Sequence, residues 1–440
     1  LRGDKIGDTI YEKFKIQGTP TELFVDKDGN EVDWIVGYGP PPDKFLVKVQ
    51  KVLAGEETYK ALSARFAQEP TNVEVLFKLG RKYSSRFTPE MTAKGKELYQ
   101  KVIALDPDGK AGSYTDDYLK AQIPYTQGAE FELGQASIYD RKPNPAPLQA
   151  FIKKYPASAL VKNAYSYLSY YYGYQAPKEE ATKFFEEYSS KYPDDRNAIG
   201  AYVERIIKDK EPIDKGISLA EKLKELGGYP RNPEYQQNLA QLYALKGDPA
   251  KAEEEYGQDF IDGYVSDAVN ALTGYANFWL EQNKNLDSVE SAADLAVKMA
   301  PASQRYTLQT VAGIYVKLNK TDKALAVYGP EFIKKNMGDQ SVLASYASFW
   351  NRQGKNLESA LEAARKSVEL TSDYYNNYTL ANILFKTKKY EEALEYAEKA
   401  VELVKPMAVK YEGFSTQQYE KLVKDIKGAI AEEKAPAIKK

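Results

Sequence analysis

Three tyrosines, Tyr170, Tyr174 and Tyr378, carry the most suggestive chemistry in this chain of 440 residues. The first two belong to the run SYLSYYYGY (Ser166–Tyr174), and helical phase turns all three toward the inner face of their helices. Aromatic rings so placed can serve as a platform for a sugar, a peptide or a nucleobase. Most of the 36 tyrosines fall instead where one helix meets the next, and read as core. Reactive side chains are scarce. The chain has no Cys and no His, which removes thiolate nucleophiles, Cys-ligated zinc, iron–sulfur clusters, the commonest general base and the commonest transition-metal ligand. The acidic pairs Glu179–Glu180, Glu186–Glu187 and Glu391–Glu392 have the residue types of a general acid and base. They lie near lysines on faces expected to be exposed, and read as solvated surface. Asp26 and Asp28 lack the spacing and the closing Glu of a calcium loop. Asn319 and Asn377 begin the short glycosylation pattern, and no P-loop or dinucleotide glycine pattern is present. The chain as it stands is expected to bind rather than to catalyse, with no cofactor and no metal.

Bulk composition narrows the partners. Sixty-one basic residues against 63 acidic ones leave a net charge of −2, which favours neither nucleic acid nor an anionic membrane. No apolar run approaches the ~20 residues of a membrane span. The opening LRGDKIGD has neither an initiator Met nor a signal peptide, so an internal segment or a processed product is expected.

The elements that must position these residues fall into two regions. In the first, Glu22–Val25 is a short strand, DKDGN (Asp26–Asn30) a tight turn, and Glu31–Tyr38 a second strand alternating Val32, Trp34 and Val36. Prolines then precede a helix with Phe45, Leu46, Val49, Val52 and Leu53 on one face, and Gly55 stops it. A short helix over Asp8–Phe14 comes before. This order, with Gly18-Thr19-Pro20-Thr21 between the first helix and the first strand, resembles the C-terminal half of the thioredoxin fold. The resemblance makes Thr19 and Pro20 the cis-proline loop that faces the substrate in that family. Its Cys-x-x-Cys half is absent from these residues, so the resemblance implies redox activity only for a longer parent protein. A hairpin with two helices is marginal alone, and must complete a domain with further residues or lean on the helices downstream of it.

The remainder reads as helix after helix, each stopped by Gly or Pro. In Ala157–Asp194, Tyr165, Leu168, Ser169 and Tyr172 lie on one helix and Ala181, Phe185 and Tyr188 on the next, with Pro193 closing the unit. That order resembles the tetratricopeptide repeat. Matching positions recur at Tyr202, Leu239, Tyr275, Val311, Tyr346 and Leu380, with second-helix alanines at Ala252, Ala324, Ala360 and Ala393. The segment Tyr275–Ser288 aligns without gaps with Tyr346–Ser359, so two kinds of helix pair alternate and a longer unit was duplicated. The fold class expected is mainly α: an α/α tetratricopeptide superhelical solenoid preceded by a partial thioredoxin-like α/β segment. Its expected parts are residues 1–55 (half thioredoxin-like domain), 56–110 (linker helix and first pair), 111–156 (connector and degenerate repeat), 157–404 (about seven pairs) and 405–440 (capping helix and tail).

The repeat resemblance implies a set of ligand-contacting positions. They are Asn163, Tyr170 and Tyr174 in one repeat, Gln237 and Gln241 in the next, then Gln309 and Lys317, then Tyr378, Asn382 and Lys386. Asn and Gln there can hold a peptide backbone, and Lys a carboxylate. The alternative is a solvated groove with no single ligand. The dense Lys/Arg set that clamps an acidic chain terminus is missing. The combined pattern resembles bacterial thioredoxin-like and tetratricopeptide proteins, many of them exported, which implies a periplasmic or extracellular location. Three functions are expected from it: a non-catalytic scaffold for protein or peptide partners, the recruiting part of a thiol–disulfide oxidoreductase, or a structural subunit that self-associates.

Overall fold

The computed structural model of the chain describes residues 9–10, 13–16, 20–37, 42–116, 118–226, 233–257, 269–300, 305–410 and 415–434. They fall into two compact units, Leu1–Gly228 and Tyr229–Lys440.

The first unit starts with β1 (Thr21–Val25) and β2 (Glu31–Val36), paired antiparallel. Asp26 shapes the turn by accepting from the backbone N–H of Asp28 at 3.1 Å and of Asn30 at 2.9 Å. Helix α1 (Pro42–Leu53) buries Val52 but leaves Leu46, Val47 and Leu53 exposed, so its expected apolar stripe is covered only in part. The hairpin leans instead on α2 (Tyr59–Gln68) and α3 (Val73–Ser84). Trp34 is buried 4.9 Å from Tyr59 and donates its indole N–H to Ser85 Oγ at 3.1 Å. Lys82 donates to the fully buried Asp33 at 2.6 Å, and Arg86 pairs with Glu31 at 2.7 Å while lying over the Trp34 ring. These contacts give a marginal hairpin the burial it lacks alone.

Thr19 lies outside the described residues, as do Asp8, Tyr11 and Glu12 of the expected Asp8–Phe14 helix, while Thr9, Ile10 and Lys13 are helical. Pro20 is exposed, and its carbonyl accepts from the Gly37 N–H at 2.9 Å. Among the described residues this segment builds a two-stranded sheet and no α/β domain, and a thioredoxin-like half is not shown.

Helix α3 packs on α4 (Pro89–Leu105) at a crossing where two glycines are required. A Cβ on Gly80 would lie 2.8 Å from the Tyr99 ring, and one on Gly95 would lie 3.0 Å from the Gly80 carbonyl. The connector after α4 has structure the sequence did not announce. It is a second hairpin, β3 (Ser113–Asp116) and β4 (Ala121–Pro124), whose Tyr114 stacks on Phe77 at 4.7 Å. Three helix pairs complete the unit: α5 (Tyr125–Ile138) with α6 (Ala146–Lys154), α7 (Val161–Tyr174) with α8 (Lys178–Lys191), and α9 (Arg196–Asp209) with α10 (Ile213–Leu226). The first helices α3, α5, α7 and α9 pack side by side.

In the second unit the pairs are α11 (Pro233–Lys246) with α12 (Pro249–Tyr256), α13 (Val269–Gln282) with α14 (Leu286–Met299), and α15 (Arg305–Lys317) with α16 (Thr321–Tyr328). A single turn, α17 (Pro330–Lys334), leads to α18 (Gln340–Gln353) with α19 (Leu357–Leu370), then α20 (Tyr374–Lys386) with α21 (Tyr390–Lys410), and α22 (Gln417–Lys434) packs on α21. The seven register positions from Leu168 to Leu380 are all buried, and so are Ala181, Ala252, Ala324, Ala360 and Ala393. Two kinds of pair alternate as the duplicated segment implies: α12 and α16 have 8 residues, α14 and α19 have 14.

The short helices explain the tryptophans. Each ends in Tyr-Gly, and Gly257 and Gly329 turn the chain away in an extended conformation. A side chain at either glycine would run into the carbonyl of Glu253 or Leu325. At the second break the Phe332 N–H goes to the Gly329 carbonyl at 3.1 Å and so leaves the Tyr328 carbonyl, which a buried indole takes up. Trp279 donates to the Tyr256 carbonyl, and Trp350 to the Tyr328 carbonyl at 2.8 Å.

Candidate functional site

The expected contact residues divide between the two units. Asn163, Tyr170 and Tyr174 belong to the first unit, and the other seven belong to the second. Three of those seven are engaged within the fold. Tyr378 is half-buried against α22, its ring 4.8 Å from that of Tyr419, so the terminal helix covers the face that helical phase left open. Asn382 donates to the Tyr378 carbonyl at 2.9 Å, one turn back in its own helix. Lys386 donates to the Asn351 carbonyl at the end of α18, and loss of hydration holds its ammonium below the usual lysine pKa. Gln237, Gln241 and Gln309 are half-buried, and Lys317 is exposed.

A coherent surface does exist on α5 and α7. Tyr170 is 44% exposed and Tyr174 59%, and a residue that the sequence reading missed, Tyr139, is 60% exposed at the end of α5. Tyr139 lies 5.7 Å from Tyr170, which lies 5.4 Å from Tyr174. Tyr167 continues the row inward, edge-on to Tyr139 at 6.2 Å. Burial raises the Tyr139 and Tyr167 hydroxyls above the usual tyrosine value, with a smaller contribution from neighbouring tyrosines, so both remain protonated donors at neutral pH. Nothing in the local sequence around Tyr139 announces this role. It is the last aromatic before the Arg141–Pro145 loop, and only the packing of α5 beside α7 brings it to Tyr170.

Carboxylates stand at both ends of the row. At one end Glu132 is 3.5 Å from Arg81, and burial raises its carboxyl despite that cation. At the other, Glu204 of α9 accepts from the Tyr174 hydroxyl at 3.2 Å. A cavity of about 240 Å³ opens here, with Tyr170, Gly173, Tyr174, Glu204, Arg205 and Lys208 among its lining residues. Both of its cations hydrogen-bond to backbone. Buried Arg205 donates to the carbonyls of Tyr172 at 2.6 Å and Ala176 at 3.0 Å, and pairs with Asp209 at 2.6 Å. Lys208 donates to the Tyr174 carbonyl at 2.8 Å. Both satisfy the orphan carbonyls at the C-terminus of α7 and complement its negative end. The surface therefore offers aromatic faces, hydroxyls and a carboxylate, with its cations held by backbone. Asn163, half-buried in the first turn of α7, stands one end of that helix away from this cavity.

Among the described residues no group of three or more acidic residues could hold a metal ion, and no helix is long and apolar enough to cross a membrane.

Residues 375–405, in helices α20 and α21, fit the family model of the tetratricopeptide repeat. The chain carries a tetratricopeptide repeat. Its first helix, α20, ends on the half-buried Phe385 and the exposed Lys386, and the buried Leu380 and Ala393 occupy the register positions of the motif. Solved structures are similar at low identity. A tetratricopeptide repeat protein from Parabacteroides merdae shares 14% identity over 75% of this chain and 98% of its own, with a TM-score of 0.31. Yeast Tom70 shares 14% identity over 83% of this chain and 66% of its own, with a TM-score of 0.40. Overlaps this loose carry no further argument. No curated protein matches the chain.

Proposed function

We propose that the chain is a scaffold that binds protein or peptide segments and performs no chemistry itself. The observation that carries this reading is the exposed row Tyr139, Tyr170 and Tyr174. Contiguous exposed aromatic surface, unlike a singly exposed ring, marks interaction sites. The first-helix tyrosines at register positions, Tyr202, Tyr275 and Tyr346, are at most 1% exposed, so exposure is not the rule for this residue type here. The tetratricopeptide repeat at 375–405 agrees with a binding role. A finer part of the proposal is that the N-terminal hairpin descends from a thioredoxin-like domain, supported by the order of β1, the Asp26–Asn30 turn, β2 and α1.

A peptide-array screen with the full chain, followed by calorimetry on the best binder, tests the scaffold reading. The double change Tyr170→Ala with Tyr174→Ala is expected to weaken that binder at least tenfold. Equal affinity of the variant, or an array with no binder, overturns the reading.

A further inference from the structure

A second cavity, of about 400 Å³, lies in the first unit between β2, α1 and α3, and falls within the ~300–1,000 Å³ of small-molecule sites. We infer that it binds a small organic dianion carrying a hydroxyl, of the hydroxydicarboxylate class. It shares no residue with the row Tyr139, Tyr170 and Tyr174, so the peptide-binding reading stands or falls separately.

Charge is the first observation. Five cations and three carboxylates line the cavity, a surplus of two positive charges. On the α3 wall each cation has a carboxylate: Lys78 pairs with Glu57 at 2.5 Å, Lys82 with Asp33 at 2.6 Å, and Arg81 with Glu132, outside the lining, at 3.5 Å. The α1 wall differs. Lys48 and Lys51 are exposed there on one side of the helix, and neither pairs with a carboxylate among the described residues. Of the described lining carboxylates only Glu56 is left to them. A surplus spread over two facing walls suits two separated carboxylates rather than a single compact anion.

Asp33 is the second observation. It is 0% exposed, and while Lys82 holds Oδ2, its Oδ1 is buried without a hydrogen-bond partner. An unsatisfied buried acceptor costs free energy, so the guest that suits this wall brings a donor. An ammonium donor would add to the positive surplus; a hydroxyl does not. Trp34, Ile35, Val36, Val52 and Leu62 supply the apolar wall for the carbon skeleton.

The loose seating of α1 is the third. This helix buries Val52 but leaves Leu46, Val47 and Leu53 exposed. A dianion held by Lys48 and Lys51 on one side and by the α3 wall on the other ties α1 to the unit, so that binding and protection of α1 are linked.

Calorimetric titration of the full chain with L-malate, and with succinate, which lacks only the hydroxyl, provides the test, with hydrogen exchange of α1 followed in parallel. Malate is expected to bind at millimolar concentration, about fivefold more tightly than succinate, and to slow exchange in α1. The double change Lys48→Gln with Lys51→Gln should weaken malate about tenfold. Both lysines are exposed, so the urea midpoint of that variant should match wild type. Equal affinity for malate and succinate overturns the inference, because Asp33 then asks nothing of the guest. Malate binding that the lysine variant leaves unchanged overturns it too, as does no heat at millimolar malate.

Discussion

Helix α7 and the pair α13 and α18 are first helices rich in aromatic residues, yet they use their rings in opposite ways. In α13 and α18 the aromatics Tyr275, Phe278 and Trp279, and Tyr346, Phe349 and Trp350, are all at most 4% exposed. In α7 Tyr165 and Tyr172 are buried as those are, while Tyr170 and Tyr174 are 44% and 59% exposed. The phase of the helix accounts for the split. Rings three and four residues beyond the register position enter the gap between helices; rings two and six beyond it stand on the opposite side. Aromatic density alone is therefore no sign of a site. Position relative to the buried anchor is.

The largest effect that would sharpen this contrast comes from the buried side. Trp350→Ala should cost about 3–5 kcal/mol, since it removes a fully buried ring and leaves the Tyr328 carbonyl without its donor. Urea unfolding would measure it, and a loss below about 1 kcal/mol would show that the indole is not structural. Next comes Gly329→Ala, expected to cost about 1–3 kcal/mol because its Cβ would meet the Leu325 carbonyl. The same substitution at Gly338, which has open space around it, should cost under about 1 kcal/mol, and equal losses at both would break the argument from close approach.

A smaller effect is expected on an ion pair that ties α19 to the repeat at 375–405. Arg365 donates to both Glu392 oxygens, with the second bond at 2.8 Å, and that hydrogen bonding holds the Glu392 carboxyl below its usual value. A depressed carboxyl stabilises the fold above its unfolded pKa and loses that contribution as pH falls through its folded one. Both groups are partly exposed, so Arg365→Ala should cost no more than about 1 kcal/mol at pH 7. Wild type and variant should converge in acid; a difference that grows as pH falls would contradict the pairing. The smallest stability effect belongs to the exposed side of the comparison. Tyr170→Ala should change unfolding by under about 0.5 kcal/mol while weakening the best peptide. A cost like that of Trp350→Ala would mean that Tyr170 is core, and the comparison would fail.

Much of the fold was legible because burial tracks spacing. The register from Leu168 to Leu380 and the second-helix alanines are buried, and the aligned segments Tyr275–Ser288 and Tyr346–Ser359 form equivalent helix pairs. The β3–β4 hairpin was not legible, since its strands have four residues each and gain their burial from Phe77 on a distant helix. The candidate site was legible by half. Tyr170 and Tyr174 stand on an open face as their phase predicts, whereas Tyr378 has the same phase and is covered by Tyr419, some forty residues later in the chain. Asn382 and Lys386 have the right chemistry for a ligand and spend it on carbonyls of the fold.

By itself the sequence determined the chemistry that is out of reach and the side of each helix on which a residue stands. Without His or Cys there is no imidazole or thiolate to recruit, and a period of 3.6 residues assigns every ring to a face before any neighbour is known. Only the tertiary structure decided which faces remain open and which groups meet there. Tyr139 joined Tyr170 because α5 lies beside α7, and Glu204 met Tyr174 because α9 lies on the other side. The physical reason is that a helix dictates its own periodicity locally, while the coverage of its outer face depends on segments that the local pattern cannot name.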